Sequence, residues 1–457
     1  MVPTAGRCAR ARELIARVFL LCAGILFGCV TAEVGIRLFG LAKPSFYTYS
    51  GSHGWKLRPR ASGWQTDEGR AWIKVNRWGF RGPDWTLAKP AGTLRVAVLG
   101  DSFTEAQQVA EEQTFSAVIE RELKRDPPLP ADSRFHWVNN VEVMNFGVDG
   151  YGTAQELLTL ERDVWRFSPD IVLLAFFNGN DVRNNSVVLE GDKCRPFYVY
   201  RRGAFVLGGP FVDSPRFRFG CFTRFESRHS QLLNVLGSAR SALRARWRIW
   251  KSRNAAAVAS VATVSARTGT RLLGGVGCDD QIYRPPANQV WLDAWNVTEF
   301  EIETIHRNVR RHGAEFLLVT LDAGMQVFPS KTVREDFLRA VGGTTILYPD
   351  KRLKGLGERD GFAVLNVAPT MQSYADLHKV FFHGFANTAM GSGHWNQLGH
   401  SFTGALIAKE LRTILAGVPA AAPSTPVQRT TDHSTNVRPV SDDLLHSPAT
   451  DASRPPP

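Results

Sequence analysis

The sequence predicts an α/β protein: a three-layer α/β/α sandwich around a central, mostly parallel sheet, with an apolar helix ahead of it. Three observations predict this. Short apolar runs alternate with helical patterns in the order βαβαβ…αβ…βα across residues 93–414. The third apolar run is almost unbroken, as expected of a strand covered on both faces. Glycine and polar residues cluster directly after the runs, at the sheet edge where such folds place their sites.

The chain has 457 residues, 44% hydrophobic and 21% charged, which suits a globular protein with a full core and extensions. A slightly negative mean hydropathy excludes a polytopic membrane protein. Six cysteines are too sparse for a disulfide scaffold, and no CxxC pair suggests zinc.

Residues 1–17 form a basic segment, with Arg7, Arg10, Arg12 and Arg17 against the single acid Glu13. The uncharged run Val18–Ala32 follows, and residues 14–39 read as a membrane anchor or signal-anchor. The run itself is shorter than the roughly 20 residues a span needs. It reaches that length if Leu14 to Ala16 join it, Arg17 snorkels inward and Glu33 sits at the outer surface. The basic flank then holds the N-terminus inside and sends the rest across. A cleaved signal peptide is the rival, but no small-x-small site precedes Glu33. Leu26-Phe27-Gly28-Cys29 has the outline of a lipoprotein signal, with bulky Phe27 against it.

Residues 40–92 are a lead-in rich in tryptophan and glycine. The domain proper spans 93–414. Its strands are expected at Leu94–Gly100, Val141–Phe146, Asp170–Phe177, Glu315–Thr320 and Phe362–Val367. Its helices are expected at Glu112–Leu123, Ala154–Arg166, Thr298–His312 and Phe402–Ile414. Residues 183–290 break the rhythm as an aromatic, basic insertion holding Cys194, Cys221 and Cys278. Outside the cytoplasm two of these can pair, Cys194 with Cys221 being nearest; three free buried thiols are the alternative. Leu232–Trp250 has apolar residues at helical spacing, with Arg240, Arg244 and Arg248 on another face, a pattern suited to an anionic surface or to ordinary packing. Residues 418–457 are proline-rich, nearly free of aromatics, and cannot form a core.

The net charge of +12 invites a nucleic-acid reading, but its layout argues otherwise. Four of the basic residues precede the apolar run, and those from Arg240 to Arg253 belong to the insertion. No basic groove with aromatic stacking platforms accompanies them, so no nucleic acid is expected.

Four blocks carry chemistry. Gly100-Asp101-Ser102-Phe103-Thr104 follows the first strand and can aim the Ser102 hydroxyl into a cleft, with its own N–H free for an oxyanion. Asn145-Phe-Gly-Val-Asp-Gly150-Tyr-Gly152 follows the second strand, and the Gly150 N–H can approach a developing charge closely. Phe177-Asn-Gly-Asn180-Asp181 follows the third, where the Asn180 amide can donate to the same charge; an ordinary Asn-Gly turn is the alternative. His394-Trp-Asn-Gln-Leu-Gly-His400 precedes the last helix, and a histidine there can act as general base.

These four blocks, in this order, resemble the SGNH/GDSL hydrolase superfamily, whose fold is of the flavodoxin-like α/β/α type. The resemblance implies Ser102 as nucleophile, the Ser102, Gly150 and Asn180 donors as oxyanion hole, and His394 as base. Glu33-Val-Gly-Ile-Arg37, Asn76-Arg-Trp-Gly-Phe-Arg-Gly82 and Pro169-Asp170 also resemble bacterial membrane-anchored members, which implies a domain on the extracytoplasmic side of a bacterial inner membrane. One departure stands out. The family usually carries an aspartate two or three residues before the histidine, where this chain has Ser392 and Gly391. Ser392, a backbone carbonyl or a displaced carboxylate such as Asp376 is expected to orient His394, or a Ser-His dyad acts alone. Asp101 and Asp181 are auxiliary candidates beside the site. The expected reaction is hydrolysis of an O-acyl or carboxylic ester, carbohydrate- or lipid-linked, through an acyl-serine. O-acyl transfer by the same site and non-catalytic binding of an envelope polysaccharide or lipid are the alternatives. No cofactor is expected, and no metal-ligand spacing is present.

Overall fold

The computed structural model describes residues 5–39, 44–125, 132–226, 229–233, 235–236 and 279–417. Cys278, the Leu232–Trp250 pattern beyond residue 236, and the proline-rich segment 418–457 lie outside the described residues.

Five strands make the central sheet, numbered here β1 (Thr93–Gly100), β2 (Asn140–Asn145), β3 (Ile171–Phe177), β4 (Glu315–Leu321) and β5 (Ala363–Asn366). Their spatial order is β2-β1-β3-β4-β5 and every pairing is parallel. β1 and β3 are buried at every position, which accounts for the unbroken apolar sequence of β3; in β1 the one buried charge, Arg95, is paired with Glu142 at 2.8 Å. Alternate residues face opposite layers. Val96, Val98, Leu173, Ala175, Leu317 and Val319 join a core with Phe115, Ile119, Ile407 and Leu411 from the helices Phe115–Lys124 and Gln397–Leu415. Helices Thr153–Arg162 and Gln289–Arg311 pack against one another as a second helical pair.

The sheet order reverses between β1 and β3. The chain runs outward from β1 to β2, then returns to the other side of β1. Loops leaving the carboxyl ends of β1 and β3 therefore diverge, and the gap between them is where this architecture opens a crevice.

Helix starts differ from the sequence expectation where a side chain caps them. Thr114 accepts from the Ala117 N–H and begins its helix at Phe115. Asn396 accepts from the Leu398 and Gly399 N–H groups and starts the last helix at Gln397, five residues earlier than the apolar spacing suggests. Asn288 accepts from the Trp291 N–H and starts a 23-residue helix at Gln289 instead of Thr298. Helices Lys331–Ala340, Tyr348–Asp360 and Ala368–His378 were not expected from the sequence.

The chain divides into two compact units. Among the described residues, one holds those of 46–221 and 279–417; the other holds those of 5–45 and 222–236. In the second unit the helix Ala5–Leu38 carries a stretch, Arg12–Leu38, long and apolar enough to cross a membrane. Near its end, Glu33 accepts from the Gln231 and Leu232 N–H groups (2.9 and 2.8 Å) and from the Ser230 hydroxyl. Ser230, Gln231 and Leu232 thus associate with this helix, although the sequence reading placed them in an insertion of the α/β domain.

Two parts of the first unit bear on the site. Cys194 and Cys221 form a disulfide. The lead-in packs into the unit and does not stand apart from it. It forms two short hairpins, Tyr47–Ser50 with Gly54–Leu57 and Ser62–Gln65 with Ala71–Lys74.

Because Leu173 lies fully buried in the central strand, Leu173→Ala should lower unfolding free energy by about 2–5 kcal/mol, read from denaturant unfolding of the intact protein.

Candidate active site

β1 ends at Gly100, and Asp101 turns the chain by accepting the Phe103 N–H at 2.9 Å. This places Ser102 at the start of the short helix Ser102–Glu105. The Ser102 hydroxyl lies 2.9 Å from His394 Nε2 and 3.4 Å from Asp101 Oδ2. The shorter contact is the one a nucleophile–base pair needs.

The other imidazole nitrogen of His394, Nδ1, lies 2.5 Å from Glu68 Oε2, and Glu68 Oε1 accepts the His394 backbone N–H at 2.8 Å. Glu68 comes from the turn of the second lead-in hairpin, more than 300 residues away in sequence. Its bidentate hold fixes both the ring and the peptide that carries it. Gly393 makes the approach feasible. It has φ +81°, and a Cβ there would stand 2.1 Å from Glu68 Oε1, so any side chain would push the carboxylate away.

This geometry corrects three expectations. Asp376 does not orient His394: both its oxygens accept from Arg334 (2.8 and 2.6 Å), and those hydrogen bonds hold its carboxyl below the usual range. Ser392 turns its backbone N–H to the Ala389 carbonyl, and the Nδ1 position it was expected to serve is taken by Glu68. A bare Ser-His pair is likewise replaced by a Ser102–His394–Glu68 chain of contacts.

Burial works against charge on His394, but the Glu68 hydrogen bond and its negative charge outweigh it, and the imidazole titrates above its ordinary 6.5. Burial likewise opposes charge on Glu68, but the His394 contacts prevail and lower its pKa. The second histidine of the block behaves oppositely. His400 is buried, its Nδ1 accepts the Phe115 N–H, and desolvation lowers it to about 3. It is a neutral, structural residue.

The loop carrying His394 is anchored from β4. Asp322, one residue past that strand, accepts from the buried Trp395 indole through Oδ1 (3.2 Å) and contacts His383 Nε2 through Oδ2 (2.8 Å). His383 Nδ1 in turn meets the Gly393 carbonyl at 2.8 Å. Asn396 donates back to the Phe381 and Gly384 carbonyls. Within His394-Trp395-Asn396, the first residue reaches Ser102, the second locks the loop, and the third caps the helix.

The turn bearing Ser102 is held from the lead-in. Arg81, buried, donates to the carbonyls of Glu105, Ala106 and Val109. Glu105 accepts the Asp149 N–H at 2.5 Å and the Tyr47 hydroxyl at 3.1 Å. Burial raises Glu105 to about 7. Through Glu105 the turn bearing Ser102 is tied to the loop bearing Gly150.

The structure places the remaining predicted residues as follows. Asn180 follows β3, and its side-chain amide makes no hydrogen bond with the described residues; its buried Oδ1 has no partner. No described group accepts the Ser102 or Gly150 N–H. Asp181 is fully buried, and its Oδ2 accepts the Phe177 N–H at 2.7 Å, so it closes the turn beneath Asn180. Burial holds its carboxyl well above the usual range. Asp101 is raised to about 6, chiefly by burial.

Sequence reasoning missed Glu68, Arg81, Glu105, Asp322 and His383. A signal for Glu68 existed: alternation in Ser62–Gln65 and Ala71–Lys74 marks a hairpin whose turn, Thr66-Asp-Glu-Gly-Arg70, is acidic. Nothing local says where that turn points.

The parallel sheet with its flanking helices is the α/β/α architecture that the sequence resemblance implies. Comparison with protein-family models and with curated proteins finds no match. Several solved structures are similar at low identity. The acetyl xylan esterase AlAXEase shares 13% identity over 70% of this chain and 100% of its own, with a TM-score of 0.32. The lipase/acylhydrolase from Enterococcus faecalis shares 13% over 73% and 100%, with a TM-score of 0.30. A catalytic mutant of Axe2, an acetylxylan esterase from Geobacillus stearothermophilus, shares 11% over 71% and 96%, with a TM-score of 0.33. Likeness at this level carries no residue-by-residue correspondence.

Glu68→Gln should lower the His394 pKa from its raised position, read by NMR titration of the imidazole, and Gly393→Ala should move it in the same direction by displacing the carboxylate. An unmoved value in both would exclude the pairing.

Proposed function

We propose that the protein cleaves esters with Ser102 as nucleophile, and that the single observation carrying this is the continuous contact chain from the Ser102 hydroxyl through His394 to Glu68. Glu68 keeps the proton on Nδ1, which leaves the Nε2 lone pair facing Ser102. Ser102 Oγ adds to the ester carbonyl as its proton passes to His394 Nε2. The resulting imidazolium is stabilised by the Glu68 carboxylate.

The negative charge formed on the carbonyl oxygen needs donors already in place. Their unengaged state in this structure supports the Ser102 N–H, the Gly150 N–H and the Asn180 amide as that set. Collapse of the tetrahedral species re-forms the carbonyl and breaks the bond from its carbon to the alkoxy oxygen, His394 gives its proton to the departing alcohol, and an acyl-serine remains. Water then adds with His394 again taking a proton, and breakdown releases the carboxylic acid and restores Ser102. A sugar hydroxyl in place of that water would turn hydrolysis into O-acyl transfer with no change in the protein groups. Asp101 and Asp181 serve as buried turn-forming residues in this reading.

The apolar run Val18–Ala32 within the helix Ala5–Leu38 and the basic residues ahead of that run support anchoring in a membrane with the N-terminus inside. The Cys194–Cys221 disulfide supports an oxidising, extracytoplasmic location for the α/β unit.

Ser102→Ala should lower turnover of a simple acyl ester such as 4-nitrophenyl acetate by about 10³-fold or more, with product analysis in the presence and absence of an alcohol separating hydrolysis from transfer. Equal rates would leave a binding role. Because neutral His394 is the base, activity should fall as pH drops through a value above 6.5. Glu68→Gln should shift that acid limb downward and reduce kcat by about 10²- to 10⁴-fold. A pH–rate profile of both proteins checks the sign and the size.

A further inference from the structure

Trp55, from the first lead-in hairpin, lines the Gly150 loop. Its indole N–H donates to the Asp149 carbonyl at 3.0 Å, and its ring lies 3.4 Å from where a Cβ on Gly150 would stand. Arg195 lies over this indole, with Cζ 4.9 Å from the ring centroid. The arginine is only 5% exposed. Its Nε and Nη1 are buried without any hydrogen-bond partner, and among the described residues nothing accepts from Nη2 either. Glu190, Asp192 and Asp149 act on the guanidinium through space, but no described carboxylate forms an ion pair with it. Its field also reaches Asp181, next to Asn180. Through Trp55 the guanidinium is thus stacked beside the Gly150 loop.

The backbone at Arg195 is clamped on two sides. Cys194 is bonded to Cys221. The Cys194 carbonyl presses on Gly54, where φ is +87° and a Cβ would come within 1.8 Å of that oxygen, so only glycine permits the contact. The Cys194 N–H is held by Asp192 at 3.0 Å. A permanently charged, planar group is thus fixed against an aromatic face while its edge donors go unused. Such an arrangement suits two-point recognition of anionic oxygens.

We propose that Arg195, seated on Trp55 and held by the Cys194–Cys221 disulfide, recognises an anionic substituent, a carboxylate or a phosphate, on the ester substrate. The assignment rests on Ser102 being the nucleophile of an esterase, but the binding of the anion does not depend on turnover. The segment after β3 then supplies specificity, whereas the chemistry comes from β1 and the His394 loop.

The test uses the intact protein in detergent and three sugars acetylated at the same hydroxyl: a methyl glucoside, the corresponding methyl glucuronide, and the methyl glucoside 6-phosphate. Acetate release should favour one of the anionic sugars by about tenfold or more in kcat/KM, expressed mainly in KM, and the favoured sugar identifies carboxylate or phosphate. Arg195→Met should collapse that ratio towards one, and Arg195→Lys should restore part of it. A ratio near one in the unaltered protein, or one that Arg195→Met leaves in place, overturns the proposal. Calorimetry of the non-acetylated glucuronide and 6-phosphate with Ser102→Ala protein gives a reading independent of catalysis. Binding of either that Arg195→Met abolishes supports the site even if no acetate is released, whereas binding that Arg195→Met leaves unchanged, or no binding of either, refutes it.

Discussion

The grip of Glu68 on His394 is the interaction through which the rest of the site is organised. One carboxylate oxygen holds the imidazole and the other holds the peptide N–H of the same residue. Ring orientation, tautomer and loop position are thereby set together. The contact is short and mostly shielded from water, conditions under which a carboxylate–imidazole bond is strong and directional. It also explains why the lead-in cannot be a passive tether: the turn of its second hairpin completes the contact chain that begins at Ser102.

The same logic recurs around the site at one remove. Arg81 grips the carbonyls of Glu105, Ala106 and Val109 after the Ser102 turn, Glu105 joins that turn to the Gly150 loop, and Asp322 pins Trp395 and His383 behind His394. Each is a buried polar group that hydrogen-bonds to a different segment of chain. In a low-dielectric interior such groups are costly to leave unpaired, so each one restricts the loops it joins to a narrow set of positions. The parallel sheet delivers the loop ends to one edge, and the polar cross-links align them there. Under the proposed mechanism this alignment is what lets fixed donors meet a charge that exists only during reaction, with little reorganisation.

Much of the architecture was legible because it rests on local periodicity. The five strands were found within one or two residues, since burial on both faces demands unbroken apolar runs such as Ile171–Phe177. Helix starts were less legible at Phe115, Gln289 and Gln397, where a capping threonine or asparagine overrides the apolar spacing. The helices Lys331–Ala340 and Tyr348–Asp360 bury only a few of their residues, and their polar sequences carry a weak signal. Of the site, Ser102, His394, Gly150 and Asn180 stood out because each follows a strand or precedes a helix within a short block.

The orienting carboxylate illustrates the boundary. By itself the sequence determined the α/β alternation, the apolar N-terminal segment, the four blocks and their order, and that no acid stands just before His394. Those are properties of neighbouring residues, and neighbours along the chain constrain secondary structure and turn chemistry directly. Only the tertiary structure decided which carboxylate fills the gap, that Asp376 belongs to Arg334, and that Arg195 lies unpaired on Trp55 beside Gly150. Such contacts join segments as far as 326 residues apart. They are set by how hairpin, sheet edge and disulfide-closed segment pack together, for which a one-dimensional pattern holds no distance information.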